Sequence, residues 1–561
     1  MCGLRRTLCQ ELNSASEDRT LKYVIGIDYG TLSGRTVLVN AETGEEVAEA
    51  VLSYAHGVMD ETLPCGKKLP SNYALQHPND YLDVLKQTIR EVLQSANVSP
   101  HDVVGMGLDF TACTLLPVDD DGEPLCMKQE YASEPHAYVK LWKHHAAQPE
   151  ADEITALAKA RGEAWLPLYG GKISSEWALP KILQILRESP ALYEKTDRFM
   201  EAADWLSLML TDTETHSAAF AGYKALWNSE TGYPSDDFMT ALDIRLHGIV
   251  GTKLSEKVCG MDGIAGILSA RGASLTGLSE GIPVALPMID AHAAMPALNI
   301  TGDGDLMMIV GTSTCHILNS LQCKSVEGIC GYVKDGVIPG FYTYEAGQAA
   351  VGDSFDWFVK NCVPAFYEKE AREKGTNLHK LLREKASRLT PGESGLLALD
   401  WFNGNRSVLV NAELTGMILG LDLQTKPEEI YRALIEATAY GTRVILEQYE
   451  QNGIEIKSIC AAGGIAQKDE MMMQIYADVL NREIRIAGTA QAGALGSAIY
   501  ASVAAKVYPT VADAAQKISK PDLKVYKPNV ENHQLYSKLY AEYKILHDYF
   551  GKGGNRVMER L

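Results

Sequence analysis

The stretch Tyr23–Thr31 reads YVIGIDYGT, and the interpretation of the whole chain starts from it. Its β-branched and aromatic residues predict a strand over Tyr23–Asp28, and Gly30 permits a tight turn in which a ligand can approach the backbone. Arg35–Asn40 and Glu46–Tyr54 predict two further strands, so the folded part of the chain opens with a β-meander.

Helices alternate with strands in the rest of the first half. A helix with one apolar stripe is predicted from Pro78, and a buried strand over Val103–Leu108 follows it. Asp305–Val310 and Thr314–Asn319 then predict a second hairpin of the same kind. This order of elements indicates an α/β fold.

The second half continues with a long helix from Glu428 to about Glu450. Two strands are then predicted over Ile456–Ala461 and Glu483–Ile486, and each is followed by a helix, the first over Lys468–Leu480 and the second over Ala494–Ala505. We therefore predict three parts. Residues 1–21 form an N-terminal extension without order, residues 22–300 an N-terminal lobe, and residues 301–561 a C-terminal lobe. The boundary is predicted near Ile300–Gly304, where glycines cluster.

Length, charge and cysteine pattern restrict the classes of protein. A chain of 561 residues is too long for one core, so two or more domains are expected. The net charge of 52 − 72 = −20 argues against nucleic acid and anionic lipid as partners. The 11 cysteines form no C-x-x-C pair, which is typical of reduced thiols in a cytoplasmic protein.

No apolar run follows the first residues, and the apolar segment Gly281–Ile300 contains Asp290 and three prolines, so no membrane span is predicted.

The first turn has the residues of a phosphate site. Gly30 with the hydroxyls of Thr31 and Ser33 can form an anion nest, and Asp28 at the strand end could hold Mg²⁺ through water. The alternative is a plain strand–turn–strand in which Asp28 caps the turn.

Two later turns suit the same nucleotide. Gly311, Thr312 and Ser313 repeat the first device at the start of the second half, so two hairpins could clamp a triphosphate between the lobes. Gly463 and Gly464 lie between a strand and a helix, where they permit close approach of a flat group such as adenosine. The alternative is a turn that requires positive φ.

Asp290 is the candidate catalytic base. It lies in the apolar run Pro287–Ala294, and partial desolvation would raise its pKa and make it a better base. The alternative is an N-cap of a helix. Lys224 and Glu345 each lie among aromatic and small residues, which is the composition of a sugar site, although charged residues in such a setting are more often surface or helix N-cap residues than ligands.

These motifs together resemble the FGGY carbohydrate kinases over about Tyr23–Ala505. The elements occur in the order of that family, ending with A-A-G-G-I-A-Q-K-D-E-M-M-M-Q-I-Y-A-D at residues 461–478. Within the family, the segments Leu108–Thr114, Tyr344–Ser354 and Trp401–Ser407 are most similar to the bacterial enzymes that phosphorylate L-ribulose.

The resemblance implies a two-lobed actin-like ATPase (ribonuclease H-like) fold with an active-site cleft between the lobes. It implies ATP and Mg²⁺, a ketopentose bound near Ala112, Lys224, Asp290 and Glu345, and L-ribulose 5-phosphate as the product of L-arabinose catabolism. By analogy it also implies a homodimer. A kinase for D-ribulose or xylulose, and a non-kinase actin-like ATPase, are the alternatives.

Overall fold

The computed structural model describes residues 21–489 and 491–561. The predicted extension at residues 1–21 lies outside these ranges except for Leu21. Two seven-stranded sheets dominate the described chain. The strands of the first sheet are β1 Tyr23–Tyr29, β2 Ser33–Asn40, β3 Glu46–Ser53, β4 Val103–Phe110, β5 Ile264–Ile267, β6 Pro283–Ala285 and β7 Met288–Ile289. Those of the second are β8 Asp305–Val310, β9 Thr314–Ser320, β10 Gly331–Lys334, β11 Tyr342–Gln348, β12 Ser458–Ala462, β13 Ile484–Ile486 and β14 Lys524–Tyr526.

The two sheets share one plan. The first has the order β5-β6-β4-β1-β2-β3, with β7 also paired to β4, and the second has the order β10-β11-β9-β8-β12-β13-β14. In each, a hairpin (β1 with β2, β8 with β9) is antiparallel and its first strand pairs in parallel with a strand from later in the chain. The repeated hairpin inferred from the sequence is confirmed.

Six helices matter for the site, and we label them α1 Pro78–Ala96, α2 Ala218–Lys224, α3 Asp290–Ala297, α4 Gly352–Cys362, α5 Pro427–Gln451 and α6 Ala492–Ala504. The remaining α-helices are Gln148–Arg161, Ala178–Glu188, Pro190–Lys195, Ala202–Thr211, Asp236–Leu242, Ile249–Thr252, Ala270–Thr276, Ala365–Glu373, Leu378–Ala386, Gly464–Lys468, Glu470–Leu480, Val511–Ile518, Val530–Gly551 and Val557–Arg560. The small strands Leu75–Gln76, Leu115–Val118, Val139–Lys140 and Arg198–Glu201 form a further four-stranded sheet in the first lobe.

Helix α6 belongs to the second half of the sequence but packs on the first sheet. Its residues Leu495 and Ile499 are fully buried in the same hydrophobic core as β1 and β4. Glycines of the sheet make room for it, because a Cβ at Gly26 would lie 1.9 Å from the carbonyl oxygen of Ala494. Helix α6 therefore packs with the lobe on the other side of the predicted boundary near residue 300. The position of the domain boundary stays a prediction.

The second lobe has its own core. Helix α5 supplies Leu434, Ile435 and Ile445 to a cluster with β8, β12 and the helix Glu470–Leu480. The predicted helix over Lys468–Leu480 is divided at Asp469, whose side chain accepts a hydrogen bond from Met472 N at 3.0 Å and so caps the second part.

No helix in the described ranges is long and apolar enough to cross a membrane. The segment 281–300 is divided into β6, β7 and α3.

Candidate active site

Three acidic residues meet at one edge of the first sheet. Strands β1 and β4 run parallel, and their register places Asp28 opposite Asp109. Strand β7 joins β4 with Met288 opposite Asp109, and Asp290 follows as the first residue of α3. The carboxyl ends of parallel strands form the usual ligand-binding edge of an α/β sheet. Asp290 is the first residue of the helix and Ile289 takes the N-cap position, so the N-cap alternative is wrong. Asp290 Oδ1 accepts a hydrogen bond from Ala291 N at 2.7 Å.

Burial raises the pKa of all three acids, and the charge of Asp28 adds to this effect at Asp109 and at Asp290. Asp109 is fully buried, and desolvation followed by the charge of Asp28 raises its pKa well above 3.8, although Ser497 Oγ donates to its Oδ2 at 2.6 Å. Desolvation also raises the pKa of Asp28, while a hydrogen bond with the Asp109 side chain and then the positive charge of Arg35 lower it. For Asp290, desolvation and then the charge of Asp28 raise the pKa to about 7. A carboxylate with that pKa is suited to accept a proton near neutral pH.

An ion pair beside these acids joins the two lobes. Lys224 Nζ, at the end of α2, lies 3.2 Å from Glu345 Oε1 and 3.3 Å from Oε2, and Glu345 is in β11. His292 Nε2 of α3 lies 3.3 Å from the same carboxylate. Burial alone would raise the pKa of Glu345, but Lys224 and His292 hold it well below its ordinary value. Lys224 and Glu345 also shift the pKa of Asp290 in opposite directions, so the pair and the acid lie within electrostatic reach of each other.

Ala112 lies in the turn that follows β4. The next residue, Cys113, has φ 61°, and its carbonyl oxygen accepts a hydrogen bond from the buried Lys181 Nζ. Burial raises the pKa of the Cys113 thiol and the charge of Lys224 lowers it, so this turn is a neighbour of the ion pair. The structure thus brings Ala112, Lys224, Glu345 and Asp290 into one region.

A cavity of about 440 Å³ opens beside the ion pair and has walls from both lobes. Its lining includes Glu176, Trp177 and Lys224 from the first lobe and Glu345, Asn405 and Arg406 from the second. Charged and amide groups of this kind, next to an aromatic ring, suit a small polyhydroxylated ligand.

The first glycine turn is closed by a hydrogen bond from Gly30 N to Ser33 O at 3.0 Å. Its backbone is held from outside, since Gln76 Nε2 donates to Thr31 O at 2.8 Å. The Thr31 hydroxyl lies 3.2 Å from Trp142 Nε1, which donates to it. The turn therefore has a fixed shape before any ligand binds.

The second turn is fixed in a similar way. Gly311 N donates to Ser313 O at 2.9 Å, and the N-terminus of α4 is bonded to the turn through Gly352 N and Gly311 O at 3.0 Å. Val351 N donates to Thr312 O at 2.8 Å. The backbone amides at the start of α4 are therefore partly used by the turn itself.

Gly463 and Gly464 lie next to this second turn. Gly463 has φ 95°, and a Cβ there would lie 2.5 Å from the carbonyl oxygen of Val310, the last residue of β8. A Cβ at Gly464 would meet nothing within 4 Å. Gly463 is thus required by the backbone, as the alternative interpretation held, while Gly464 leaves open space for a ligand. No hydrogen bond among the described residues joins the turn at residues 30–33 to that at 311–313, so their joint grip on one nucleotide stays a prediction.

Sequence reasoning missed three groups of this site. Asp109 carries the same signal as Asp290, an acid in an apolar run, and could have been found. His292 contacts Glu345 only because the two lobes meet, so no local pattern contains this contact. Arg406 lies in the segment Trp401–Ser407, whose sequence does not reveal the cavity that its side chain lines.

Models of the N-terminal and C-terminal domains of the FGGY family of carbohydrate kinases match residues 23–295 and 306–505. The chain belongs to the FGGY family. The resemblance inferred from the motifs is confirmed, and the protein is a sugar kinase, for which ATP is the implied phosphate donor.

Two relatives match almost end to end. A protein named ribulokinase from Bacillus licheniformis is 53% identical over 535 residues, which cover 94% of this chain and 97% of that protein. Another named ribulokinase, from Mycolicibacterium smegmatis, is 47% identical over 542 residues, covering 96% of each chain.

Solved structures agree on the fold. The xylulose kinase from Rhodospirillum rubrum superposes with a TM-score of 0.78 at 22% identity, covering 94% of this chain and 98% of the other. The gluconate kinase from Lactobacillus acidophilus gives 0.79 at 18% identity, covering 95% and 99%. The predicted two-lobed actin-like ATPase fold is confirmed.

Proposed function

We propose that the protein transfers the γ-phosphoryl group of MgATP to the C5 hydroxyl of L-ribulose, and that the L-ribulose 5-phosphate it forms belongs to cytoplasmic L-arabinose catabolism. Relatives named ribulokinase at 47% and 53% identity support a pentulose as the acceptor. The observation that carries the proposal is the position of Asp290 at the start of α3, because His292 of the same helix contacts the Lys224–Glu345 ion pair, whose groups can bind sugar hydroxyls.

In this proposal Asp290 accepts the proton of the C5 hydroxyl as the oxygen attacks the γ-phosphorus. Phosphoryl transfer needs positioning, charge stabilisation and one carboxylate for that proton. A carboxylate with an ordinary pKa would be a weaker base, so the desolvation that raises the pKa of Asp290 favours the reaction.

Lys224 and Glu345 hold the sugar. Both are ionised at neutral pH, because each stabilises the charge of the other. Together they offer donors and acceptors in a fixed arrangement, which suits adjacent hydroxyls, and the turn at Ala112 limits the space beside them.

The nucleotide lies between the two glycine turns. Thr31, Ser33, Thr312 and Ser313 supply hydroxyls and their backbone supplies amides for the phosphates, and the open face at Gly464 receives adenosine. Mg²⁺ fits at Asp28, because oxygen ligands suit it and because a cation there would relieve the repulsion between the carboxyls of Asp28 and Asp109. When bound, Mg²⁺ neutralises phosphate charge.

A panel of pentuloses and pentitols with coupled detection of ADP tests the proposal. We expect L-ribulose to give the highest kcat/KM. A higher value with D-ribulose or a xylulose would overturn the substrate assignment. ADP formation at the same rate with and without sugar would indicate that the protein hydrolyses ATP without transferring the phosphoryl group to a sugar.

A further inference from the structure

Arg406 is a charged group of the cavity that the proposed reaction leaves without a role. Its side chain is exposed to the cavity that Lys224 and Glu345 also line. Other arginines of the lobe have carboxylate partners: Arg383 Nη1 lies 3.3 Å from Asp469, and Arg432 Nε lies 2.7 Å from Glu436. Within residues 21–489 and 491–561, Arg406 has neither a hydrogen bond nor an ion pair of this kind. A guanidinium that faces a cleft without a protein partner is available to a ligand.

The loop around Arg406 is rigid. Asn405 and Asn411 exchange two backbone hydrogen bonds of 2.8 and 2.9 Å, and Asn405 Oδ1 also accepts one from Leu409 N at 3.0 Å. The next residue, Ser407, is buried and accepts a hydrogen bond from Gly347 N at 3.2 Å. The side chain of Arg406 is therefore attached to a fixed backbone, which reduces the entropy lost when it binds a ligand.

A glycine of strand β11 lets the arginine lie flat across that strand. A Cβ at Gly347 would lie 3.3 Å from Arg406 Cδ, 3.4 Å from its Nη1, and 2.7 Å from the carbonyl oxygen of Thr314. Gly347 comes two residues after Glu345 in the same strand, so Arg406 packs on the face of β11 from which the Glu345 side chain emerges. The guanidinium thus lies against the strand that carries Glu345.

The charged groups follow one another along the cleft. Lys224 and Glu345 shift the pKa of Asp290, and Glu345 is also among the charges that act on Arg406. The cavity is lined by Lys224, Glu345 and Arg406, whereas Asp290 does not line it. His292, two residues after Asp290 in α3, lies 3.3 Å from Glu345, and Gly347, two residues after Glu345 in β11, lies against Arg406, so the ion pair lies between α3 and the guanidinium.

We propose that Arg406 binds the C2 carbonyl end of the ketose and so makes the enzyme selective for ketoses over pentitols. This inference rests on the proposed function, because it assumes that the C5 hydroxyl is at Asp290. The planar guanidinium has five N–H donors and no acceptor, which matches a carbonyl oxygen that only accepts. A pentitol has a hydroxyl at C2 instead. Because the guanidinium cannot accept a hydrogen bond, the O–H of this hydroxyl has to point away from Arg406 and donate to another acceptor.

The test compares L-ribulose with ribitol and L-arabitol, the two products of reducing its C2 carbonyl. We expect Arg406→Gln to lower kcat/KM for L-ribulose roughly 10- to 100-fold, the range for a hydrogen bond to a charged group. The pentitols, measured as substrates or as competitive inhibitors against L-ribulose, should change by less than about threefold. The KM for ATP should stay constant, and Arg406→Lys should give an intermediate loss because it keeps the charge but not the planar fork.

Arg372→Gln, which removes an exposed arginine of the same lobe, serves as the control. An equal loss with ketose and pentitols would overturn the inference, because it would mean that Arg406 acts only by shaping the Glu345 strand. An unchanged ketose kcat/KM would overturn it as well. If Arg406→Gln does not fold, the same comparison is made with Arg406→Lys. The wild-type protein is assayed with the pentuloses first. If it phosphorylates none of them, the proposed function is refuted, independently of any result with the Arg406 variants.

Discussion

Replacement of Asp290 by asparagine separates the chemical role of this residue from its structural role. Asparagine has nearly the same size, and its Oδ1 can keep the 2.7 Å hydrogen bond from Ala291 N that begins α3. It cannot accept the C5 hydroxyl proton and carries no charge. Because general base catalysis contributes about 10²- to 10⁴-fold, we expect kcat to fall by at least about 100-fold while the KM for ATP changes little.

The same change should stabilise the fold at alkaline pH. The pKa of Asp290 is raised from 3.8 to about 7, so an ionised Asp290 destabilises the folded state. The difference of about 3 in pKa corresponds to an upper value of about 4 kcal/mol when the pH exceeds both values. The sign follows from the direction of the shift, since the cost is absent below pH 3.8 and grows until the pH passes about 7. Asparagine has no such cost.

Thermal unfolding at pH 8 and pH 5, at one scan rate, measures this effect. We expect Asp290→Asn to raise the unfolding temperature at pH 8 and to raise it much less at pH 5. Asp353→Asn is the control for unfolding, because Asp353 also lies in the first turn of a helix but is exposed, and its side chain has no ion pair or hydrogen bond among the described residues. Near-normal turnover of folded Asp290→Asn would refute the base assignment. A lower unfolding temperature at pH 8 would refute the argument that burial and the charge of Asp28 strain this carboxylate.

Three further predictions concern the remaining site. The kcat/KM for the sugar should fall about tenfold from pH 8 to pH 6, as Asp290 with a pKa of about 7 becomes protonated, and a flat profile would contradict this. Lys224→Ala and Glu345→Ala should each raise the sugar KM at least about tenfold and the ATP KM less than about twofold, because each removes hydrogen bonds of a charged group to the sugar. Equal increases of the two KM values in steady-state kinetics would argue against sugar contacts. Gly463→Ala should raise the ATP KM and lower the unfolding temperature, because its Cβ would lie 2.5 Å from Val310 O, and an unchanged ATP KM would exclude this turn from the nucleotide site.

Local patterns were sufficient to predict most of the elements. The predicted strand over Asp305–Val310 has the observed bounds, because an apolar run between turn residues marks both ends. The helix predicted from Pro78 is observed as Pro78–Ala96, where proline takes the first helical position. The break at Asp469 was missed, since an aspartate inside a helical pattern can be either an exposed residue or a cap, and its hydrogen bond to Met472 N decides between them.

The site could be predicted only in part. The glycine turns and Asp290 are local signals, and the family resemblance supplied Ala112, Lys224 and Glu345. The pairing of Lys224 with Glu345 joins residues 121 positions apart, so no local pattern contains it. The free guanidinium of Arg406 is likewise visible only once the neighbouring charges are placed in space.

Helix α6 constrains how the cleft can close. It interlocks with the first sheet, since a Cβ at Gly26 would lie 1.9 Å from Ala494 O, and its Ser497 holds the buried carboxyl of Asp109 at 2.6 Å. Lifting α6 from the sheet would leave that carboxyl without its donor, at a cost of about 1–3 kcal/mol in addition to the lost apolar burial. The helix therefore moves with the first lobe, although the sequence assigns it to the second half. We therefore expect closure of the lobes to change the contacts between α2 and β11, which include the Lys224–Glu345 pair and the hydrogen bond from Tyr223 Oη to Thr343 O. A sugar bound at this pair would act directly on the contact that joins the lobes, and we expect binding of the acceptor and closure over the nucleotide to be coupled through it.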